Sequence, residues 1–305
     1  GPRGRTARAA RRVGAAVPTR RWVPWMYVIP ALALLAFFLV YPSAETLRLS
    51  LLDRQGKAFV GINNYSQVFS DPVMSAAFRN NALWVGVFTF CTVSMGLTLA
   101  VLLDRVRYES LIKTIIFVPM AISMVGASVI WKFVYAFRPA SVAQIGLLNA
   151  VVVALGGQPV GWLTVRPWIN NLCLIVVGVW IWTGFCMVVL SAAYKGLSRE
   201  WLEAARIDGA GEWQLFWRII LPLLTPTLAV VTTTMIVFVL KIFDIVYVMT
   251  NGNFSTEVLA NRMIKEQFSF TNYGRAAALA VVLFLLVAPV MVVNIRRFKR
   301  RESAR

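Results

Sequence analysis

The chain contains no histidine, and acidic residues are scarce: 13 Asp and Glu against 31 Lys and Arg over 305 residues. Without histidine, neither a Ser–His nor a Cys–His catalytic arrangement can be assembled from this chain. Cysteine is limited to Cys91, Cys173 and Cys186, all in apolar stretches, where a thiol behaves as a small hydrophobe. No CxxC or Cys/His spacing occurs, so neither a zinc site nor a disulfide framework is expected. The phosphate-cradling pattern G-x-x-x-x-G-K-[ST] is also missing, which excludes ATP hydrolysis by the chain itself.

What is present in abundance is apolar residues, 59% of the total, with a mean hydropathy of +0.69. That is the composition of an all-α polytopic membrane protein. Six spans are predicted, at 24–44, 82–103, 112–135, 172–193, 219–246 and 276–295. Each is long enough for the roughly 20 residues a helix needs to cross the hydrocarbon layer. The run Val142–Leu155 is too short to span and reads as interfacial or re-entrant.

The net charge of +18 would suit nucleic acid, but its placement argues for a bilayer. Arg3, Arg5, Arg8, Arg11, Arg12, Arg20 and Arg21 precede the first span; Arg296, Arg297, Lys299, Arg300, Arg301 and Arg305 follow the last. Basic flanks mark the cytoplasmic side. The expected organisation is a basic arm at 1–23, one membrane domain at 24–295 and a basic tail at 296–305, with both ends inside. The intervening loops agree: the side assigned as inside carries twenty Lys and Arg, the other side nine.

One loop on the inner side stands apart. Residues 203–226 read EAARIDGAGEWQLFWRIILPLLTP. Ser198 is placed to cap a helix with Glu200 in its first turn, and Gly209 is placed to end it in the left-handed conformation. Trp213, Phe216, Trp217 and Ile220 follow the spacing of an apolar helical stripe, and Pro222 and Pro226 close the motif.

This stretch resembles the EAA coupling loop of ATP-binding-cassette importer permeases. Glu203, Ala204, Ala205, Asp208, Gly209, Ala210 and Pro222 match the motif, within a loop spanning 194–218. The resemblance extends to the sugar branch of that family over nearly the whole chain. It rests on WVPWMYVIPALALLAFFLVYPSAETLRLSLLD in the first span, FVGINNYSQVFSDPVMSAAFRNNALWV at 59–85, LIKTIIFVPMAISMVGASVIWKFVY at 111–135 and FDIVYVMTNG at 243–252. After span five, where many members of the branch carry Gly-Gly-Pro, Asn251-Gly252-Asn253-Phe254 and TEVLANRM stand instead; that variant is similar to α-glucoside importers.

The resemblance implies a permease subunit that forms a path for an oligosaccharide, most simply an α-linked disaccharide. It implies a second permease subunit, two nucleotide-binding ATPase subunits that hold ATP and Mg, and an extracytoplasmic sugar-binding protein. No cofactor, metal or nucleic acid is implied for this chain, and its setting is a bacterial-type cell membrane. A permease for another solute, such as glycerol phosphate, is the alternative. A self-contained secondary transporter is disfavoured because no inverted repeat or broken helix is evident in the sequence.

Glu203 has two readings, contact with the ATPase or solubilisation of the loop; the resemblance favours contact. Asp208 could instead cap the following turn. Lys241 and Asp244 are expected near the outer end of span five, as a structural pair in preference to a substrate contact. Trp84, Tyr135, Trp180, Trp182 and Tyr247 offer ring faces to a sugar, and Asn80, Asn81 and Asn251 offer hydrogen bonds. Aromatics near span ends also serve as interface anchors. Trp180 and Trp182 are two residues apart and point to nearly opposite helix faces, so at most one faces the path.

Overall fold

The computed structural model describes residues 22–104, 106–165 and 168–302. Most of the basic arm, Arg305 and the Arg166-Pro167 turn lie outside the described residues. Described secondary structure is helical apart from one isolated bridge between Leu52 and Phe59, as lipid demands: a spanning segment must satisfy every backbone polar group internally.

The chain divides into two compact units, residues 1–48 and 49–305. The described part of the first is one apolar helix, α1 (Trp25–Leu49), which runs one residue into the second unit. It contains Pro30 and a π turn at Ala36–Val40, and near its end an Arg48–Glu45 ion pair of 2.6 Å.

The second unit begins with a loop and the short helix α2 (Asn63–Ser70), followed by the long α3 (Pro72–Leu102). Asp71 opens α3: its carboxylate accepts from the Val73 N–H at 2.8 Å and Pro72 takes the first turn, where a missing N–H costs nothing. Next come α4 (Glu109–Phe117), a 3-10 turn at Val118–Ala121 and α5 (Met124–Val134). The sequence predicts one span across 112–135; the structure instead breaks it, with a bend of 99° between its halves. Pro119 supplies no N–H to the turn, and Ser123 starts α5 afresh, its Oγ accepting from the Gly126 N–H at 3.1 Å. A broken helix is therefore present after all, and its supposed absence carries no weight against other transporter classes.

The Val142–Leu155 run yields an eight-residue helix, α6 (Leu147–Ala154), too short to span. Buried Asn149 organises it, donating to the Ala136 and Val160 carbonyls and accepting from the Val160 N–H and the Trp162 indole. The central helix α7 (Ile169–Lys195) has 61% of its apolar window buried. It leads to α8 (Arg199–Ile207) and then α9 (Glu212–Leu240). Helix α9 runs through both Pro222 and Pro226. A π turn at Phe216–Ile220 lies directly before Pro222, and the Leu221 N–H bonds the Phe216 carbonyl. Such local re-bonding lets a transmembrane helix accommodate proline.

Helix α9 ends at Leu240, short of the 246 expected. After a break come α10 (Asp244–Met249), α11 (Leu259–Ile264) and α12 (Tyr273–Glu302). Helices α3, α7 and α9 share a core around Trp84, Phe88, Leu174, Ile181, Leu190 and Met235. A smaller cluster joins α2, α3, α11 and α12 through Val68, Met74, Leu259 and Leu279.

Candidate functional site

Helix α8 starts at Ser198, which takes the extended capping conformation without a side-chain hydrogen bond. Its end is closed by backbone bonds: Gly209 N–H to the Arg206 carbonyl at 3.1 Å and Ala210 N–H to the Ala205 carbonyl at 3.0 Å. This is the Schellman pattern, and Gly209 supplies its left-handed residue at φ +83°. The space around Gly209 is open, so backbone conformation, not room, calls for glycine. The Asp208 carboxylate makes no hydrogen bond among the described residues; the next helix is capped by Gly211 without a side chain. An Arg206–Glu212 ion pair of 2.7 Å spans the turn instead, and that hydrogen bond raises the Arg206 pKa above its ordinary value.

Leu202 and Leu215 anchor the motif in the core, and half-buried Ala205 packs beside them. The opposite surface is open. Glu203, Ala204, Asp208 and Pro222 are exposed, as are Trp201 (58%), Ile207 (87%) and Trp213 (75%). The stripe predicted from Trp213 to Ile220 is split: Ile220 is buried, while Trp213 and Trp217 stack edge to face at 5.6 Å on the exposed side. Beneath α8 lies a cavity of about 680 Å³ lined by Asp104, Glu109, Lys195, Leu202, Glu203 and Arg206, among others.

At the other end of α7 the polar groups are buried. Asn80 donates to the Ser255 and Glu257 carbonyls, both at 2.8 Å. Asn81 donates to the Leu240 carbonyl at 3.2 Å and accepts from the Leu259 N–H at 2.9 Å. Asn170 donates to the Phe254 carbonyl at 2.6 Å. Asn81 thus ties α3 to the segments on either side of α10, using both ends of its amide.

Of the aromatic candidates, Trp84 and Trp182 are brought to one region. Trp84 is fully buried, 6.0 Å from Phe88, which lies 6.1 Å from Phe238; Trp182 stacks on Phe238 at 4.3 Å. Neither indole N–H has a hydrogen-bond partner among the described residues. Trp180 points elsewhere, edge-on to Trp131 at 5.7 Å, and Tyr135 donates to the Cys173 carbonyl at 3.1 Å. Tyr247 is half exposed and stacks on Phe243 at 5.0 Å. Asn251 sits at φ +50°, and its carbonyl accepts from Lys265 at 2.5 Å. Lys241 and Asp244 are not joined by an ion pair among the described residues. The helix breaks between them, so the three-residue spacing of a continuous helix does not apply. Lys241 lines a separate cavity of about 380 Å³ with Met263 and Phe284.

The ion pairs that do form lie elsewhere. Glu257 meets Lys265 at 2.8 Å, Arg262 meets Glu266 at 2.8 Å, and Arg275 meets Asp71 at 2.9 Å and Glu266 at 3.7 Å. The side chains of Glu257 and Glu266 are only 5% and 2% exposed, so these charges persist because they are paired. Sequence reasoning missed them. The four-residue spacing of Glu257, Asn261 and Lys265, and of Arg262 and Glu266, was the available signal. Burial pushes the Asp71 carboxyl up, but the Val73 N–H and the Arg275 guanidinium outweigh it and hold it below its ordinary value.

The profile of the family "Binding-protein-dependent transport system inner membrane component" matches residues 92–301. The chain is 58% identical to an osmoprotective compounds uptake permease protein of Synechocystis, over 92% of this chain and 100% of that one. It is 49% identical to an alpha-glucoside transport system permease protein of Rhizobium meliloti, over 92% and 83%. In structure it superposes on a chain of a bacterial ABC transporter that imports alginate. The TM-score is 0.76 and the identity 22%, over 90% of this chain and 96% of that one.

Proposed function

Because the chain belongs to the family of binding-protein-dependent transport system inner membrane components, we propose that its helix–turn–helix at 198–211 docks on a separate ATPase subunit. The chain is the multi-pass inner-membrane permease of an ABC importer of the carbohydrate branch, not itself an enzyme. The observation that carries the docking role is the exposed apolar surface of this motif. Ile207 at the tip, Trp201 and Trp213 are left uncovered while Leu202 and Leu215 fix the motif to the core. An apolar patch of this kind on a rigid, well-capped element marks an interaction site.

Docking there places the 198–211 loop in the cytoplasm, and with it both termini, in agreement with the basic flanks. The working complex contains a second permease subunit, two ATPase subunits that bind ATP and Mg, and an extracytoplasmic solute-binding protein. ATP can drive the exchange of inward- and outward-facing states only through a surface that differs between those states, and Glu203, Ala204, Asp208 and Pro222 form its exposed rim.

The solute is a neutral α-glucoside. One relative is named for osmoprotective compounds and one for alpha-glucosides, and a small neutral glucosylated solute is a class that fits both names. Trp84 and Trp182, gathered around Phe88 and Phe238, are the candidate ring faces, and their indole N–H groups, without a partner among the described residues, can donate to sugar hydroxyls.

The experiment is uptake by the reconstituted complex of a panel of α-linked disaccharides and glucosylated polyols, with a sugar phosphate and glycerol phosphate as controls. Transport of the neutral α-glucosides is expected; transport of the phosphorylated solutes alone would refute the substrate class. In the same complex Gly209→Val should strain the left-handed turn, and Glu203→Lys should reverse charge at the docking rim. Both should insert normally and lose ATP-driven uptake. Parental uptake in both variants would overturn the docking role.

A further inference from the structure

We propose that Glu109, gripped by Lys113 and Lys195, is a positioning residue that transmits movement of the 198–211 loop to the broken span at 109–134. The proposal rests on the coupling role given above.

A single carboxylate oxygen, Glu109 Oε1, accepts from Lys113 Nζ at 2.5 Å and from Lys195 Nζ at 2.6 Å. Lys113 also donates to Ser191 Oγ. Glu109 and Lys113 open α4; Ser191 and Lys195 close α7. Lys195 stands only four residues before Arg199, the start of α8. The carboxylate therefore joins the entrance of the broken span to the helix end from which the coupling motif hangs. The same cavity of about 680 Å³ that undercuts α8 reaches Glu109 and Lys195.

A second contact holds the far end of α4 to α7. A Cβ on Gly184 would stand 2.6 Å from the Ile116 carbonyl oxygen and 2.8 Å from the Phe117 Cα, so backbone lies directly on backbone. With both ends held, α4 must follow α7 as a rigid piece. Its freedom lies beyond Phe117, in the 3-10 turn and the 99° bend. Hinges absorb rotation at such element ends. Lys195 is half exposed, so its ion pair adds little to stability; what the fork supplies is direction. Two ammonium groups that would repel each other converge on one acceptor, which fixes where α4 sits relative to Lys195.

The test uses the complete transporter with its ATPase subunits and a cysteine reporter beside the hinge, Ala121→Cys. The rate of thiol labelling is measured with and without a non-hydrolysable ATP analogue, so no knowledge of the solute is needed. In the parent the analogue should change the rate by at least about fivefold, the lower range of allosteric coupling. Glu109→Gln and Lys195→Glu should each reduce that response to less than about twofold while the subunits still co-purify. Combining Glu109→Lys with Lys195→Glu places one carboxylate between two lysines again and should restore it.

A parent without an ATP-dependent response at Ala121→Cys would overturn the proposal, as would a full response in Glu109→Gln or a swap no better than Lys195→Glu alone. Gly209→Val run in parallel separates the two readings. If it keeps the response, the coupling loop itself is misassigned. If it abolishes the response while Glu109→Gln keeps it, only the strut fails.

Discussion

The two ends of α7 treat polar and apolar groups in opposite ways. Near Asn170 the charges of Asp71, Glu257, Arg262, Lys265, Glu266 and Arg275 are paired, and asparagine amides knit segments far apart in sequence. Beyond Lys195 the apolar side chains of Trp201, Ile207 and Trp213 are uncovered, and most of the charged groups are exposed. One end pairs its charges internally; the other leaves open the apolar surface proposed above to meet a partner. Under the docking role proposed above, the internally paired end would serve as a frame and the open end as the input.

The contrast can be broken most severely at Arg275. Arg275→Met leaves Asp71 without its ion-pair partner and Glu266 with Arg262 alone. Glu266 is only 2% exposed, and weakening a buried pair from one side costs up to about 3 kcal/mol, so thermal unfolding of the purified complex should move to lower temperature. Asn81→Leu comes next: it leaves the Leu240 carbonyl and the Leu259 N–H unpaired, a loss of about 2 kcal/mol measurable in the same assay. At the other end, Ile207→Ser should change folding stability by less than about 0.5 kcal/mol yet weaken co-purification of the ATPase subunit. A stability loss at Ile207 equal to that at Arg275 would erase the distinction between the ends.

The smallest effect sharpens the comparison through pH. The Asp71 carboxyl is held below its ordinary value of 3.8 in the folded protein, so its contribution to stability is complete above that value. It is lost as pH falls through the lower, folded value. Asp71→Asn should flatten the acid limb of stability below about pH 4 in thermal unfolding of the complex.

Much of this architecture was legible in the residues. The long apolar runs announced the spans because lipid leaves little choice of structure. Asp208-Gly209 announced the turn because few residues other than glycine take that conformation readily. The break in span three was not legible: Pro119 sits in an apolar run that reads the same bent or straight. The end of α9 at Leu240 was hidden likewise, since Lys241 and Asp244 look paired on a continuous helix. The Arg275–Asp71 pair was out of reach for another reason. Its members are 204 residues apart, and nothing local in either stretch names the other.

The π turn at Phe216–Ile220 also explains why a correctly spaced stripe failed to mark the buried face. A residue added to a helical turn advances everything after it by about 100° around the axis. The buried positions of α9 record the slip: Leu215 and Ile220 are five apart, and Leu224, Val231, Met235 and Val239 then resume intervals of four and seven. The helix is therefore two phases of one pattern joined by a dislocation. The lower phase presents Trp213 and Trp217 outward; the upper buries the core. Deleting one residue from 216–220 would restore an unbroken winding and turn one phase against the other, so the insertion is what allows a single rod to leave an apolar face open at its foot and pack into its own bundle above.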